Sequence, residues 1–525
     1  MGKIQGGKTL KYLVVMEVSK KQRYIFNTNK LSRNVGASII IRLLSGEDKM
    51  KSNEGMIPYS DDFLGDGRSV FAGGGKSIYE FDTEDGAKSF TRNFSTSVLK
   101  KCPGVELFMA TVSYDPASEE IENAINRLYI RLEEKKSLRL GSFRYIGSGC
   151  AKMSEELQKP AVEIRNGQAI SSEEAFKSDV ALKMQDEFFA PLLPDMTKYR
   201  FAKEFEDLGG TKGVKDYIAV IAIDGNKMGE KINNFVNDFH TRHPSDGDLT
   251  ERNEEYKKEF RDFSESLDRC YRGAVKNAIS MVAESANTLI DQGSISFNMD
   301  SDGRMILPLR PLILSGDDIC IVCDARIGVS LAETVLEEIE KQQPAEGVLL
   351  RACAGVAMVH GHYPFFRAHE LAEELCSNAK SILPLDPKLD ESVMDYLIVQ
   401  GEITGDLGEI RKTQYRGGSL TDKPLYLHEG NDRRNSVPYY HKRMEDLKST
   451  AVRGKLKNYR NALYEGKPHA QEYVDYTRMG GSNGAEFVEN GYDSRNGVDH
   501  SIDFDLIEIL DLDTQIKRLT IKESQ

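Results

Sequence analysis

The sequence has no apolar run that approaches the roughly 18 residues that a membrane-spanning helix requires. Its N-terminal segment, MGKIQGGKTLKYLVVMEV, contains only a short apolar stretch, which runs directly into a patterned fold. Both observations argue against a membrane protein. We therefore expect a cytoplasmic location and no membrane partner.

Cysteine is scarce as well. The seven cysteines are an odd number, and they are scattered, mostly inside apolar segments. This pattern fits reduced, buried thiols rather than a disulfide framework. Cys320 and Cys323 have C-x-x-C spacing, but positions three apart on a strand face opposite sides, so we do not expect them to chelate one ion.

Positive charge is in deficit, with 70 Lys and Arg against 83 Asp and Glu and a net charge of −13. Nonspecific nucleic-acid binding depends on many Lys and Arg contacts to phosphate, so this balance argues against a protein that coats nucleic acid alone. Local basic grooves, or a role beside basic partner subunits, stay open. An acidic chain that handles nucleotides is expected to use metal ions as charge neutralisers.

What the sequence does contain is a repeated pattern of strands and helices. The first copy predicts a strand, a helix, a hairpin, a helix and a strand, in the β-α-β-β-α-β order of a ferredoxin-like unit. Its predicted elements are Tyr12 to Val18, Asn29 to Leu44, Ser69 to Phe81, Thr83 to Lys101, and Val105 to Tyr114.

The same order recurs later in the chain, and such a repeat is informative about architecture. The second copy is predicted at Tyr217 to Ile223, Lys227 to Leu289, the hairpin LILSGDDICIVC, Gly328 to Gln342, Leu350 to His360, and Phe365 to Ile382. We predict the α+β class, with two ferredoxin-like palm domains. The expected divisions are a first palm-like domain at 1–115, a helical linker at 116–215, a second palm at 216–385, and a mainly helical C-terminal region at 386–525.

Three acidic residues are predicted to meet at one edge of the second palm. Asp224 comes just past the first strand of that unit, and Asp317 and Asp318 lie in the hairpin beside it. Carboxylate oxygens are the natural ligands of Mg²⁺ or Mn²⁺. A solvated hairpin with a chance Asp-Asp pair is the alternative, and Asp224 makes it less attractive.

Glycines accompany these acids. Gly316 permits a tight turn, while Gly225 and Gly229 let the backbone approach a triphosphate at the start of the following helix. The first palm has an acid-free turn, AGGGKS, and only Glu17 beside its first strand. It is interpreted as a noncatalytic partner that binds a nucleotide, although a glycine hairpin needed only for geometry is an equal alternative.

Several spaced motifs resemble one family. The segments YIAVIAIDGNKMGE, LILSGDDICIVC and AGVAMVHGHYPFFRAHELAEELCSNAK are similar to the second palm of the large polymerase-cyclase subunit of type III CRISPR effector complexes, and more distantly to GGDEF cyclases. VVMEVSKKQRYIFNTNKLSRNVGASIIIR and FAGGGKS look like the first palm of that family. The resemblance covers about residues 10 to 430. It fits a version without the HD nuclease domain, for which we expect no DNase activity.

The resemblance implies a cyclase that binds ATP between the two palms and joins nucleotides 3′ to 5′ into cyclic oligoadenylates, second messengers of antiviral defence. It implies that Asp224 and Asp317 are metal ligands, with Asp318 a ligand or a group that activates the 3′-hydroxyl. Lys380 is a candidate triphosphate contact, or equally a solvated lysine at a helix end. The candidate nucleotide-binding residues are Gly225, Asn226, Gly229, Ser315, Gly316, Lys380, Gly73, Gly74, Gly75 and Ser77, with Lys76 as an alternative to Ser77.

The chain departs from the family at three places. Ser315 stands where many members have glycine, and Asn226 stands where a second acid is common, which removes one negative charge from the site. Where many members carry a four-cysteine zinc site between the palms, only Cys150 is present, so zinc is not expected there.

We predict a nucleotidyltransferase that converts ATP or another NTP into a cyclic oligonucleotide with Mg²⁺ or Mn²⁺. The alternative is a noncatalytic nucleotide-binding scaffold or sensor subunit. Expected partners are RNA-binding effector subunits with guide and target RNA, and self-association stays open. A template-dependent polymerase is disfavoured by the acidic balance.

Overall fold

The computed structural model describes residues 10–139, 149, 151–208, 217–244, 247–291, 295, 297–384, 390–400, 405–415, 420–430, 434–479, 492–495 and 498–516. Cys150 lies outside the described residues. The six cysteines within them are buried and free, at positions Cys102, Cys270, Cys320, Cys323, Cys353 and Cys376. No helix in the described ranges is long and apolar enough to cross a bilayer.

The first sheet has four antiparallel strands in the order β2-β3-β1-β4. These strands are β1 (Lys11–Ser19), β2 (Arg68–Gly73), β3 (Lys76–Phe81) and β4 (Glu106–Tyr114). The helices of this unit are α1 (Lys21–Phe26), α2 (Leu31–Leu44) and α3 (Glu84–Lys101). The helix predicted from Asn29 starts two residues later, and α1, which was not predicted, precedes it. The predicted start of α3 is confirmed, because the Thr83 side chain accepts a hydrogen bond of 3.0 Å from the Gly86 N–H.

The other face of the first sheet is covered by α4 (Ile121–Ser137). Its apolar residues recur at helical spacing and are buried against Leu13 and Val15 of β1. These helical residues are Ile121, Ala124, Leu128 and Leu132. A helix that the sequence assigned to the linker therefore completes the core of the first unit.

The second sheet has six strands in the order β10-β11-β8-β12-β13-β14. They are β8 (Tyr217–Gly225), β10 (Leu309–Ser315), β11 (Asp318–Asp324), β12 (Ala352–His360), β13 (Val393–Ile398) and β14 (Leu425–Tyr426). Its first four strands repeat the order of the first sheet. β13 pairs parallel to β12, so the C-terminal region adds two strands to the sheet.

The helices around the second sheet carry much of its core. They are α6 (Met228–Arg242), α7 (Leu249–Asp291), α8 (Ala325–Glu340) and α9 (Phe365–Ser381). α7 contacts both units, through an ion pair of 2.9 Å between Lys257 and Glu80 of the first sheet and a hydrogen bond of 2.9 Å from Asn277 to Glu338 of α8.

The segment between the units, predicted as helical, also contains short strands. Its elements are β5 (Ala161–Arg165), β6 (Gln168–Ser171), α5 (Ser172–Phe189) and β7 (Tyr199–Phe201), which pairs parallel with β9 (Met305–Leu307). α5 crosses α2 closely, since a Cβ on Gly36 would lie 1.9 Å from the Lys177 carbonyl oxygen. Only glycine permits this approach.

The C-terminal region is mainly helical and encloses buried ion pairs. Its remaining elements are α10 (Leu407–Gln414), α11 (Val437–Thr450), α12 (Arg453–Glu465), α13 (Lys467–Met479), β15 (Asp493–Arg495), β16 (Val498–His500) and α14 (Ile502–Ile509). Arg443 of α11 donates to both carboxylate oxygens of Asp503, at 2.7 and 2.8 Å. Helices and antiparallel strands together confirm the α+β class.

Candidate functional site

Each of the two sheets carries a two-residue turn between corresponding strands. In the first sheet Gly73 pairs with Lys76, and the turn residues Gly74 and Gly75 have φ values of 64° and 78°. In the second sheet Ser315 pairs with Asp318, and Gly316 has φ 61°. Because L side chains rarely adopt such angles, these turns require glycine there. We call them the glycine turn (73–76) and the acid turn (315–318).

The two turns face one cavity of about 630 Å³. Gly73 and Gly74 line it from the first sheet, and Ser315, Gly316 and Asp317 line it from the second. Aromatic rings add an apolar wall, provided by Phe71, Phe260 and Phe263. The cavity therefore combines backbone from a glycine turn, a carboxylate and stacking surfaces.

Strand register brings the acids of the second sheet together. β11 pairs with β8 through Ile319 and Ile223, and the next position along places Asp318 opposite Asp224. The sequence predicted that Asp224 lies just past the first strand of this unit. In the structure β8 extends to Gly225, so Asp224 belongs to the strand itself. The predicted proximity of Asp224 to the acid turn holds in this structure.

The corresponding position in the first sheet holds an ion pair of opposite charges. Glu17 of β1 is paired with Lys76 of β3, and their side chains are 3.2 Å apart. Glu17 also lies 2.6 Å from Lys136 of α4. The first sheet therefore has a compensated pair where the second has two carboxylates, Asp224 and Asp318.

Asp317 lies directly against the end of β8. A Cβ on Gly225 would be 2.8 Å from the Asp317 Cβ and 2.5 Å from the Tyr271 hydroxyl of α7. Burial, and then the negative charge of Asp224, raise the pKa of Asp317 to about 6. Gly225 is thus required by close packing against the acid, a reason that differs from the predicted approach to a triphosphate.

Lysines neutralise the other two acids. Lys380, at the end of α9, places Nζ 2.5 Å from Asp224 Oδ2 and donates to the Gly225 carbonyl oxygen at 3.1 Å. Burial lowers the pKa of Lys380, but the hydrogen bond to Asp224 and the negative charge of that carboxylate, with smaller contributions from Cys376 and Cys353, together raise it. Lys21 of α1 lies 3.2 Å from Asp318 Oδ2 and joins the first unit to the acid turn.

Glu373 of α9 adds a further carboxyl group to this region. Burial, and then the charge of Asp318, raise the pKa of Glu373 to about 7. The Gln22 side chain donates a hydrogen bond to it from α1. Together with Lys21, this contact ties the first unit to α9 beside the acids.

Six predicted nucleotide-binding residues are not among those that line the cavity, namely Gly75, Ser77, Gly225, Asn226, Gly229 and Lys380. Asn226 is buried and donates to Asp390 at 3.1 Å and to the Glu391 carbonyl oxygen at 2.9 Å. Ser77 is fully buried, and its hydroxyl donates to the Ser45 carbonyl oxygen. Gly229 lies in the first turn of α6, where a Cβ would meet nothing within 4 Å.

The carboxylates of this region have the oxygen ligands that a divalent cation prefers, but Asp224 and Asp318 are each paired with a lysine. Across the described ranges, no group of three or more His, Cys, Asp or Glu side chains is arranged to hold a metal ion. Asp224 and Asp317 supply hard oxygen ligands, and the negative charge of Asp224 helps to raise the pKa of Asp317, an effect that a divalent cation would oppose. These two residues would hold Mg²⁺ or Mn²⁺.

Sequence reasoning missed Lys21, Tyr271 and Glu373. Each comes from a helix and reaches the acids only through tertiary packing. Tyr271 is 1% exposed, and its hydroxyl has no hydrogen-bond partner among the described residues. Lys21, two positions after the end of β1, was visible in the sequence, but nothing local indicated that it would meet Asp318.

Comparison with known proteins gives structural neighbours only. No protein-family model matches the chain, and no curated protein does. Among solved structures, it is similar to a Csm1-Csm4 cassette in complex with pppApApA, at 13% identity and a TM-score of 0.40, covering 74% of this chain and 57% of that chain. The Csm1-Csm4 cassette in complex with cA3 gives 12% identity and a TM-score of 0.39, covering 71% and 53%.

A third similar structure is the Csm1-Csm4 subcomplex of the type III-A CRISPR-Csm interference complex, at 13% identity and a TM-score of 0.39, covering 72% of this chain and 55% of that chain. The chain thus spans about half the length of the chains it matches, 53% in the cA3 complex and 57% in the pppApApA complex. At these TM-scores the likeness is partial, and it assigns no function to this chain.

Proposed function

We propose that the protein is a metal-dependent nucleotidyltransferase that converts ATP, or another NTP, into a cyclic oligonucleotide second messenger. Both sheets are interpreted as palms, of which the second is catalytic. Antiviral defence beside RNA-binding effector subunits, with guide and target RNA, is the proposed context. The sequence motifs and the arrangement of the two turns support this proposal.

The observation that carries it is the shared cavity. Gly73 and Gly74 on one side and Gly316 and Asp317 on the other line the same space of about 630 Å³. Two nucleotides placed in it, one at each turn, would face one another. Holding two reactants in this way converts a bimolecular encounter into an effectively intramolecular reaction.

The difference between the two sheets supports a division of roles between them. In the second palm Asp224 and Asp318 are each paired with one lysine, and Asp317 has no ion pair among the described residues. In the first palm the acid Glu17 is paired with two lysines, Lys76 and Lys136. The first palm would bind a nucleotide through its glycine turn without contributing ligands. The second would supply the catalytic acids.

In the proposed reaction, the 3′-hydroxyl of one nucleotide attacks the α-phosphorus of the other. The new bond is between the 3′-oxygen and phosphorus, the bond to the pyrophosphate oxygen breaks, and the hydroxyl proton passes to a carboxylate. Asp318 is the proposed acceptor of that proton, with Lys21 orienting it at 3.2 Å. Further steps of the same kind lengthen the chain, each with release of one pyrophosphate, and the last one joins its two ends into a ring.

Bound Mg²⁺ or Mn²⁺ would supply stabilisation of negative charge on the attacking and leaving oxygens. Asp224 and Asp317 would hold the ion. Lys380 lies 2.5 Å from Asp224 and is positioned to exchange that carboxylate for a phosphate oxygen when substrate binds.

Pyrophosphate release tests this function. The purified protein is incubated with each NTP and Mn²⁺, with and without partner RNA and subunits, and compared with Asp317→Asn and Asp224→Asn. Asp302→Asn is a matched control, because Asp302 is an exposed acid that pairs with Arg304 at 3.3 Å. We expect release that depends on Asp317 and Asp224 but not on Asp302. Release that is absent, or equal in all variants, contradicts the proposal.

A second candidate function is a nucleotide-binding scaffold without turnover. It is favoured by the lysines on Asp224 and Asp318, since two acids that are already neutralised have less need of a cation. In that case nucleotide binding would persist in Asp317→Asn, with no pyrophosphate released by any form of the protein.

A further inference from the structure

Glu47 lies between the two turns, although neither turn's sequence points to it. One of its carboxylate oxygens, Oε1, accepts a hydrogen bond of 2.9 Å from the Gly75 N–H of the glycine turn. The other, Oε2, accepts one of 3.2 Å from the Ser315 hydroxyl of the acid turn. A single side chain therefore contacts both turns across the cavity wall.

Burial and several polar partners hold the Glu47 side chain in one position. Its side chain is only 5% exposed, and it receives two more partners, the Ser45 hydroxyl at 2.7 Å and Arg42 at 3.2 Å. Arg42 also donates to the carbonyl oxygen of Leu314, the residue before Ser315. A buried carboxylate with all of its partners in place is rigid, and removing a partner is costly.

A second connection runs parallel to the first. The Gly316 N–H donates to Asp268 of α7 at 3.3 Å. Asp268 pairs with Arg272 at 3.1 Å, and Arg272 pairs at 3.0 Å with Asp48, the neighbour of Glu47. The acid turn is thus held from both sides by one network that begins in the first unit.

We propose that Glu47 is a positioning residue that sets the separation of the glycine turn from the acid turn, with the Ser315 hydroxyl as its contact on the catalytic side. The proposal rests on the proposed function, because the separation of the turns would fix the spacing of the two reacting nucleotides. It also gives Ser315 a role that a glycine at that position could not fill.

The expected consequence is a loss of rate rather than of binding. Each turn keeps its own conformation and its own nucleotide contacts when Glu47 is changed. The relative placement of the turns is loosened, and misplacement by about 1 Å can cost on the order of a hundredfold in rate.

The test uses Glu47→Gln, Ser315→Ala and the double variant in the full chain. Ser45→Ala is the first matched control, because Ser45 contacts Glu47 without belonging to either turn. Glu80→Gln is the second, since Glu80 is another buried carboxylate of the first unit, and its partners Tyr114 and Lys257 belong to neither turn. Hydrogen exchange of the two turns, the affinity for a nonhydrolysable nucleotide, and kcat are measured for each.

For Glu47→Gln we expect faster hydrogen exchange in both turns and a fall in kcat between about tenfold and a hundredfold, with nucleotide affinity changed by less than about twofold. The double variant should be no slower than Glu47→Gln alone, since both changes break one connection. Ser45→Ala removes one partner of Glu47 but neither of its contacts with the turns, so its effect on exchange and on kcat should be smaller than that of Glu47→Gln.

An unchanged rate of hydrogen exchange in the glycine turn of Glu47→Gln overturns the proposal. A uniform rise in the exchange rate across the whole chain, like that expected of Glu80→Gln, overturns it as well. Additive losses of kcat in the double variant overturn it too. If the unmodified protein shows no turnover, the proposed function has failed, and the exchange measurements alone then decide whether Glu47 positions the turns.

Discussion

The ammonium group of Lys380 lies 2.5 Å from the carboxylate of Asp224, the residue proposed to hold the metal ion. The lysine comes from the end of α9 and the acid from the end of β8, 156 positions apart in the chain. A cation bound there would therefore compete with the lysine for the same carboxylate. Substrate phosphate would resolve this competition, since it offers Lys380 another partner.

Replacing Lys380 should strengthen cation binding. In Lys380→Met, Asp224 loses its positive partner and the acidic site gains net negative charge, so Mn²⁺ affinity should rise roughly fivefold, the scale of one partly exposed ion pair. Isothermal titration with Mn²⁺ in the absence of nucleotide measures this. Lys88→Met, which breaks the exposed pair with Glu84 on α3, is the control and should leave the affinity unchanged. Equal affinities in all three proteins would contradict the competition.

Gly225 should tolerate no side chain unless space is made for it. In Gly225→Ala the new methyl group would lie 2.5 Å from the Tyr271 hydroxyl and 2.8 Å from the Asp317 Cβ, so Asp317 must move and activity should fall. Adding Tyr271→Phe removes the nearer atom and should restore part of the activity. Tyr271→Phe alone should cost little stability, since its hydroxyl has no hydrogen-bond partner among the described residues. A double variant that stays inactive while its melting temperature equals that of the unmodified protein would show that the clash with Tyr271 is not the cause of the lost activity.

Gly355 of β12 should determine how closely α9 packs against the second sheet. A Cβ there would lie 2.0 Å from the Ala372 carbonyl oxygen and 2.3 Å from the Cys376 nitrogen, both backbone atoms that cannot turn aside. Gly355→Ala should push α9 off β12 and lower stability by about 1–3 kcal/mol. It should also loosen the Lys380 contact with Asp224. Gly454→Ala in α12, where a Cβ meets nothing within 4 Å, is the control, and a melting temperature equal in both variants would refute the packing argument.

Glu80 should make the first unit sensitive to acid. Burial would raise its pKa, but the hydrogen bond from Tyr114 and the charge of Lys257 outweigh it and lower the pKa from 4.5 to about 2. A carboxyl group whose pKa is lowered by folding stabilises the protein at pH values above its pKa of 4.5 in the unfolded chain. That contribution disappears as the pH falls toward the folded-state pKa of about 2. Its size at neutral pH is on the order of 3 kcal/mol.

Melting temperatures of the unmodified protein and of Glu80→Gln should therefore converge as the pH falls below 4.5. The unmodified protein should be the more stable of the two at pH 7. A constant difference across this range would show that Glu80 is not ionised in the folded protein.

Local patterns predicted the four strands of the first sheet, their four counterparts in the second, both hairpins and the approach of Asp224 to the acid turn, because alternation of apolar residues and turn glycines determine these features within a few residues. The same patterns could not indicate Glu47, Lys21 or Tyr271. Each of these reaches the site from another element, through contacts that depend on how the two units pack.

The linker and the C-terminal region were predicted less well for a related reason. β13 becomes a strand because the edge of β12 offers it a parallel partner, and the two-residue β14 pairs in turn with β13. α4 was predicted as a helix, but its covering of the first sheet follows from an apolar face that matches Leu13 and Val15. Asn226 was expected near a nucleotide, yet its amide is used to hold the segment before β13.

Mass spectrometry of the product formed from ATP and Mn²⁺ tests the central claim most directly. We predict a ring of adenosine monophosphate units, with no 5′-triphosphate, that disappears in Asp317→Asn and persists in Asp302→Asn. A linear product that retains its triphosphate, or no product at all with RNA and partner subunits present, would contradict the account of a cyclase built on two facing turns.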